Sequence, residues 1–186
     1  MLKNQILREI KMDIRKNWCN PIDWDSLPVG NFNCFMYSVF NTIPTEIFES
    51  FDEAGHIELH SLVNENVAFF GDIGQISGKV NYSNVPELVK AFKSDLATLG
   101  IKSRKCFSWK KVPKGSVKIA FYYNTSDLKE GKHSNFHFLR QENGKWMHKM
   151  GWNMGIEELE FPISNLYLVG LDLIGFFELS LKNNRF

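Results

Sequence analysis

At Gly100 the apolar residues of this chain change their period, and that change constrains the fold more than any other feature of the sequence. Before it, Val85, Leu88, Val89, Phe92, Leu96 and Leu99 recur at three- and four-residue spacings, which draws one apolar face on a helix. Asn84 and Pro86 suit the first turn and Gly100 the stop, so a helix is predicted over 84–100. After it come short β-like runs at 101–109, 116–123, 135–141, 145–150 and 175–181. Helices first and strands afterwards predict an α+β fold with an antiparallel sheet, not the alternation that builds a parallel one. A chain of 186 residues, 44% of them hydrophobic, can fill one core. We therefore expect a single domain over 1–186, mainly helical in 1–100 and mainly sheet in 101–186.

Upstream, Leu2, Ile6, Ile10 and Ile14 lie four apart and predict a further helix. Its recurrent charges are unlike a secretory signal. No window offers the roughly 20 apolar residues of a membrane span, since Asp172 interrupts even the apolar run from Leu166 to Phe177. A soluble protein with no membrane partner is expected. Pro44 and Glu46 favour a helical turn through Phe51, and the Gly- and Asn-rich stretch 52–82 reads as loops with one short strand around 67–70. The formal charge of +1 provides no global attraction to polyanions. One local run, Lys102 to Lys118, interleaves seven cations with Phe107 and Trp109. Stacking aromatics among cations are used by nucleic-acid proteins, but a solvated edge strand guarded by lysines has the same composition. The solvated reading is preferred, so nucleic acid is not an expected partner.

Cys19, Cys34 and Cys106 are an odd number of cysteines at wide spacings without a CxxC pair, as free thiols in a reducing, cytoplasmic setting would be. Cys34 opens the bulky apolar run 34–40, which suits a buried helix or a core strand. A thiol becomes nucleophilic at a helix N-terminus beside a base. Gly30, Asn31 and Asn33 just before it allow a tight turn whose N–H groups suit an oxyanion. Against this stands the commoner fate of a lone cysteine, which is to fill a core.

Asn143-Gly144 is a strong hairpin signal between two strand-like runs. Pairing Gln141 with Trp146 sets Leu139 opposite His148 and brings His137 and His148 to one face. A slip of one residue would reverse that for His148. The alternative is a pair of surface histidines. His56 and His60, in GHIELH, have helical spacing for a metal, but no third ligand accompanies them and the zincin order is absent. No metal or cofactor is called for.

The segments Asn33-Cys34-Phe35-Met36-Tyr37-Ser38 and His137, Arg140, Gln141, Gly144, Trp146, His148, Lys149, Gly151 resemble bacterial and phage proteins of the papain-like cysteine-peptidase class. Those carry an NCYxYA-type nucleophile segment and a downstream HxYRQxxxGxWxHKxG run. This chain has Phe35 and Leu139 where that pattern has tyrosines, Ser38 for alanine, Met150 for proline, and one residue fewer between Gln141 and Gly144. The apolar stretch from Tyr167 to Leu179 is similar to the closing strand of such proteins.

The resemblance implies a papain-like fold, with N-terminal helices carrying Cys34 and an antiparallel sheet carrying His137. It implies a hydrolase or acyl transferase acting on a peptide, isopeptide or other amide bond, with a peptide, protein or small amide as substrate. His148, Asn153, Asn165 and Asp172 are candidates for the third catalytic member, His148 being favoured, and Asn33 and Trp146 are expected at the oxyanion or substrate position. A binding module that keeps the fold without turnover is the competing expectation.

Overall fold

The computed structural model describes residues 8, 11, 12, 14, 15, 18, 34–39, 73–130, 136–149, 155–159 and 170–182. Three helices are bounded among them, α1 (Cys34–Val39), α2 (Val85–Thr98) and α3 (Thr125–Glu130). Six strands follow α2 in the chain, namely β1 (Ile101–Cys106), β2 (Val117–Tyr123), β3 (Phe136–Glu142), β4 (Lys145–Lys149), β5 (Ile156–Glu158) and β6 (Asp172–Leu181). They form one sheet in the order β1-β6-β2-β3-β4-β5, in which every neighbouring pair is antiparallel. The architecture is α+β, as the change of period at Gly100 predicts. Near the N-terminus, Arg8, Lys11, Met12, Ile14 and Arg15 are helical, with Ile14 buried and Met12 exposed. The segment 44–51 and the short strand expected around 67–70 lie outside the described residues.

Helix α2 begins where its caps direct it. The Asn84 side chain accepts from Glu87 N at 3.0 Å, and the Glu87 carboxylate accepts from Ser83 N at 2.8 Å, so orphan N–H groups at this end are satisfied reciprocally. Its apolar face meets the sheet through Phe92. That ring lies 5.3 Å from Phe121, 5.5 Å from Phe138, 5.3 Å from Phe177 and 6.3 Å from Phe35 of α1. Phe35 is itself 5.3 Å from Phe138. Aromatic packing at these separations adds to area burial and holds both helices on the same face of the sheet. The opposite face carries a smaller apolar cluster of Ala120, Tyr122 and Leu139, with Trp146, Leu159, Leu171 and Phe176 around it.

Two elements escaped sequence reasoning, α3 and β5. Each is short, and neither has a run of apolar residues long enough to show a period. The Asn143-Gly144 turn has both φ values positive, 50° and 84°, as a two-residue hairpin of matching twist requires. Ile174 has no partner in β2, because the register shifts between Phe121 and Tyr122, and this bulge falls beside Gly175.

Asp95 is a fully buried carboxylate on α2 that organises the preceding turn. Its oxygens accept from Gly74 N at 2.5 Å and Ser77 N at 2.7 Å. Replacing it with alanine removes two charge-assisted bonds and strands two backbone donors. Asp95→Ala is expected to lower stability by about 3 kcal/mol and Asp95→Asn by less, read from urea unfolding midpoints with unchanged slopes.

Candidate functional site

Strand β3 organises the site by simple alternation. Phe138 points into the aromatic core beside α1, and Arg140 and Glu142 share that face with it. Arg140 Nη1 donates to Tyr37 O of α1 at 3.4 Å, its Nε lies 3.0 Å from Glu142 Oε1, and Tyr37 Oη donates to the same carboxylate oxygen at 3.2 Å. A buried guanidinium is thereby balanced by one carboxylate while it ties α1 to β3. His137 and Leu139 point to the other face.

The β3–β4 register pairs Gln141 with Trp146 and Leu139 with His148, the pairing that the Asn-Gly turn implies. Both histidines lie on one face, buried, with His137 Nε2 3.1 Å from His148 Nδ1 and the rings nearly perpendicular at 88°. On the far side of His148, Nε2 lies 3.9 Å from Glu157 Oε2 on β5. Glu157 was invisible to sequence reasoning, since nothing in its neighbourhood predicts a strand, let alone one that pairs Glu157 with His148. Its carboxylate favours a proton on His148 Nε2. A proton there would make His148 Nδ1 the acceptor of His137 Nε2–H and leave the His137 Nδ1 lone pair unprotonated.

Burial holds His137 down to about 3, with the neighbouring His148 adding in the same direction. Burial also lowers His148, opposed by Glu157. Both rings are neutral at pH 7. The unfolded chain binds protons on these histidines near pH 6.5, its ordinary value, whereas the folded chain does so only at lower pH.

Cys34 begins α1 on the Phe138 face, 5% exposed. Its Sγ lies 3.9 Å from Phe136 O and also meets the Phe138 N–H, so the sulfur rests against the two peptide groups that flank His137. The thiol and the imidazole of His137 are not hydrogen-bonded to each other; Sγ turns to the strand backbone and the imidazole turns to His148. Burial pushes the thiol up to about 12, against smaller opposing effects from backbone N–H groups and Lys149. Burial thus opposes the thiolate that sequence suggests for a cysteine opening a helix, since desolvation outweighs the few dipoles of a six-residue helix. Lys149, itself fully buried, is lowered to about 8 by the same burial and raised by Cys34.

Of the other candidates, Trp146 is on the histidine face, 5.8 Å from Phe176 and with Lys118 Nζ 6.0 Å from its ring centroid. Asp172, on exposed β6 backbone, accepts a short hydrogen bond from Thr125 Oγ1 at the start of α3 and is engaged there, not with His137. Asn33, Asn153, Asn165, His56, His60 and Cys19 lie outside the described residues. Among the described residues no group of three or more His, Cys, Asp or Glu side chains is placed to hold a metal ion, and no helix is long and apolar enough to cross a membrane.

Because the histidines are depressed in the folded state, their contribution to stability is complete above about pH 6.5 and is lost as pH falls towards 3. Stability measured by denaturant titration across that window should decline with falling pH, and His137→Gln should flatten the decline. An unchanged slope in His137→Gln would mean that the imidazole titrates normally.

Compared with protein-family models, with curated proteins and with solved structures, the chain matches none.

Proposed function

We propose that this protein is a cysteine-dependent hydrolase or acyl transferase acting on a peptide, isopeptide or other amide bond, on a papain-like fold. The observation that carries the reading is the buried pair of His137 on β3 and His148 on β4, 3.1 Å apart, with the Cys34 sulfur resting on the β3 backbone beside His137. The resemblance of the Asn33–Ser38 and His137–Gly151 segments to papain-like peptidases supports it. Free thiols and the same resemblance favour a cytoplasmic bacterial or phage protein.

In this reading Cys34 Sγ adds to the carbonyl carbon of the amide while its proton passes to His137 Nδ1. His148 holds the other ring nitrogen of His137 and fixes the tautomer, the part that an asparagine or aspartate plays elsewhere. Backbone N–H groups around Cys34, with the Asn33 side chain, receive the oxyanion. Collapse of the tetrahedral species expels the amine, which takes the proton from the imidazolium and leaves a thioester on Cys34. Water or another acceptor then attacks the thioester with His137 as base, and the thiol is regenerated. Lys149 beside the sulfur favours the developing thiolate, and Trp146 borders the histidine face as a substrate contact. With the thiol held up near 12 and the imidazole near 3, the proton stays on sulfur at rest. A substrate must open access to Sγ and bring it within reach of the ring.

A second reading, a non-catalytic ligand- or protein-binding module, is favoured by one specific observation. Cys34 is buried and spends its hydrogen bond on Phe136 O.

The two readings diverge in how Cys34 responds to a substrate. Alkylation by limiting iodoacetamide, mapped by mass, follows Cys34 with the partly exposed Cys106 as an internal reference. Because Cys34 is buried at rest, slow labelling by the free reagent is expected in either case. For the enzyme, a saturating peptide-amide substrate changes the labelling rate of Cys34 and leaves Cys106 unchanged, and His137→Ala slows turnover by about a hundredfold or more. Labelling of Cys34 that is indifferent to every peptide amide, with no turnover of any, would make the binding module the better account. In hydrolysis of a peptide-amide library, Cys34→Ala and His137→Ala should each abolish turnover, and the double variant should be scarcely worse than either.

A further inference from the structure

Between β1 and β2 the chain makes an ordered loop that carries two bare aromatic rings. Phe107 is 64% exposed and Trp109 78%, yet they stack on each other with centroids 5.3 Å apart and planes 8° from parallel. The loop beneath them is tied in four places. Lys110 N donates to Phe107 O at 3.2 Å, Ser116 N to Pro113 O at 3.0 Å, the buried Lys118 ammonium to Ser108 O at 2.7 Å, and Trp18 Nε1 to Gly115 O at 2.7 Å. The rings are thus a presented platform with water on most of their surface, which a solvated edge strand does not need.

Charge of one sign flanks this platform along the chain. From Lys102 to Lys118 the chain has seven cations and no carboxylate, and Lys102, Arg104, Lys105, Lys111 and Lys114 are exposed. Behind the aromatic tip, edge strand β1 runs beside an open groove of about 700 Å³ lined in part by Lys93, Lys102, Arg104 and Lys182. The carboxylate in that lining, Glu178, is occupied by Arg104 at 2.7 Å. A strand of this length spans about 20 Å, so a cationic track leads from the groove to the stacked rings.

We propose that this surface binds single-stranded nucleic acid, with its phosphates along the cations of β1 and the following loop and a base stacked on the Phe107–Trp109 platform. Parallel stacked rings offer a flat outer face that an unpaired base can cover, whereas the bases of a duplex are already stacked. An anionic membrane would be better served by rings splayed for insertion than by rings that cover one another. The proposal does not depend on the catalytic reading, although Lys118, which ties the loop, also lies over Trp146. β1 is the lysine-guarded edge strand expected from composition, and the exposure of both rings beside it is what favours nucleic acid as a partner.

The test is fluorescence anisotropy of the full chain with a labelled oligodeoxythymidylate at low salt. Binding is expected to weaken steeply as salt rises. Phe107→Ala and Trp109→Ala should each weaken it by about fivefold or more, and Trp109→Tyr should retain most of it. Lys111→Glu with Lys114→Glu should lower both the affinity and the salt slope. Matched melting temperatures assign these losses to the surface and not to the fold. The proposal is overturned by no binding at low salt, by equal affinity for a duplex of the same length, or by affinity that ignores both aromatic substitutions. It is equally overturned if those substitutions abolish binding to phosphatidylserine vesicles and leave the oligonucleotide unaffected.

Discussion

Strand β3 imposes the constraint on which the rest of this structure depends. Its alternate side chains must satisfy two unlike environments, because the aromatic core formed with α1 and α2 claims Phe138 while the opposite face receives His137. The Phe35–Phe138–Phe92 contacts draw α1 onto the strand, and the Arg140–Glu142–Tyr37 group aligns it. Cys34 thereby comes to rest on the backbone at His137. The nearness of Cys34 to the His137 backbone is a by-product of packing two helices on one face and a hairpin's polar side chains on the other.

Burial dominates the electrostatics of the site. It raises the Cys34 thiol and lowers Lys149 against the pull of neighbours, and lowers His137 with His148 adding in the same direction. The His137–His148–Glu157 series is graded, from a deeply buried ring to an exposed carboxylate, so a positive charge formed on His137 would have a path of stabilisation towards solvent. A thiol of ordinary acidity would need none of this shielding reversed. In the proposed reaction, activation and access to the sulfur have to be the same event.

Much of the candidate site was legible in the sequence because it depends on local rules. The Asn-Gly turn accommodates positive φ at Asn143 and Gly144, the turn sets the register, and the register decides which side chains share a face. His137 and His148 follow from that alone. Glu157 was not legible, since β5 is only three residues long and its pairing with β4 is a long-range choice. Asp172 was indistinguishable by composition from other polar candidates until its contact with Thr125 engaged it elsewhere.

By itself the sequence determined the α+β class, the boundaries of α2, the strands on either side of the Asn-Gly turn and the common face of the two histidines. These rest on periodicity, caps and turn conformation, all of which act within a few residues. Only the tertiary structure decided that Cys34 is buried with a raised thiol, that it faces backbone instead of imidazole, and that Phe107 and Trp109 stand exposed among cations. Burial is a property of what the rest of the chain packs around a residue. The same cysteine, histidine or tryptophan in the same local pattern can be wet or dry, and its acidity and availability follow from that and not from its neighbours in sequence.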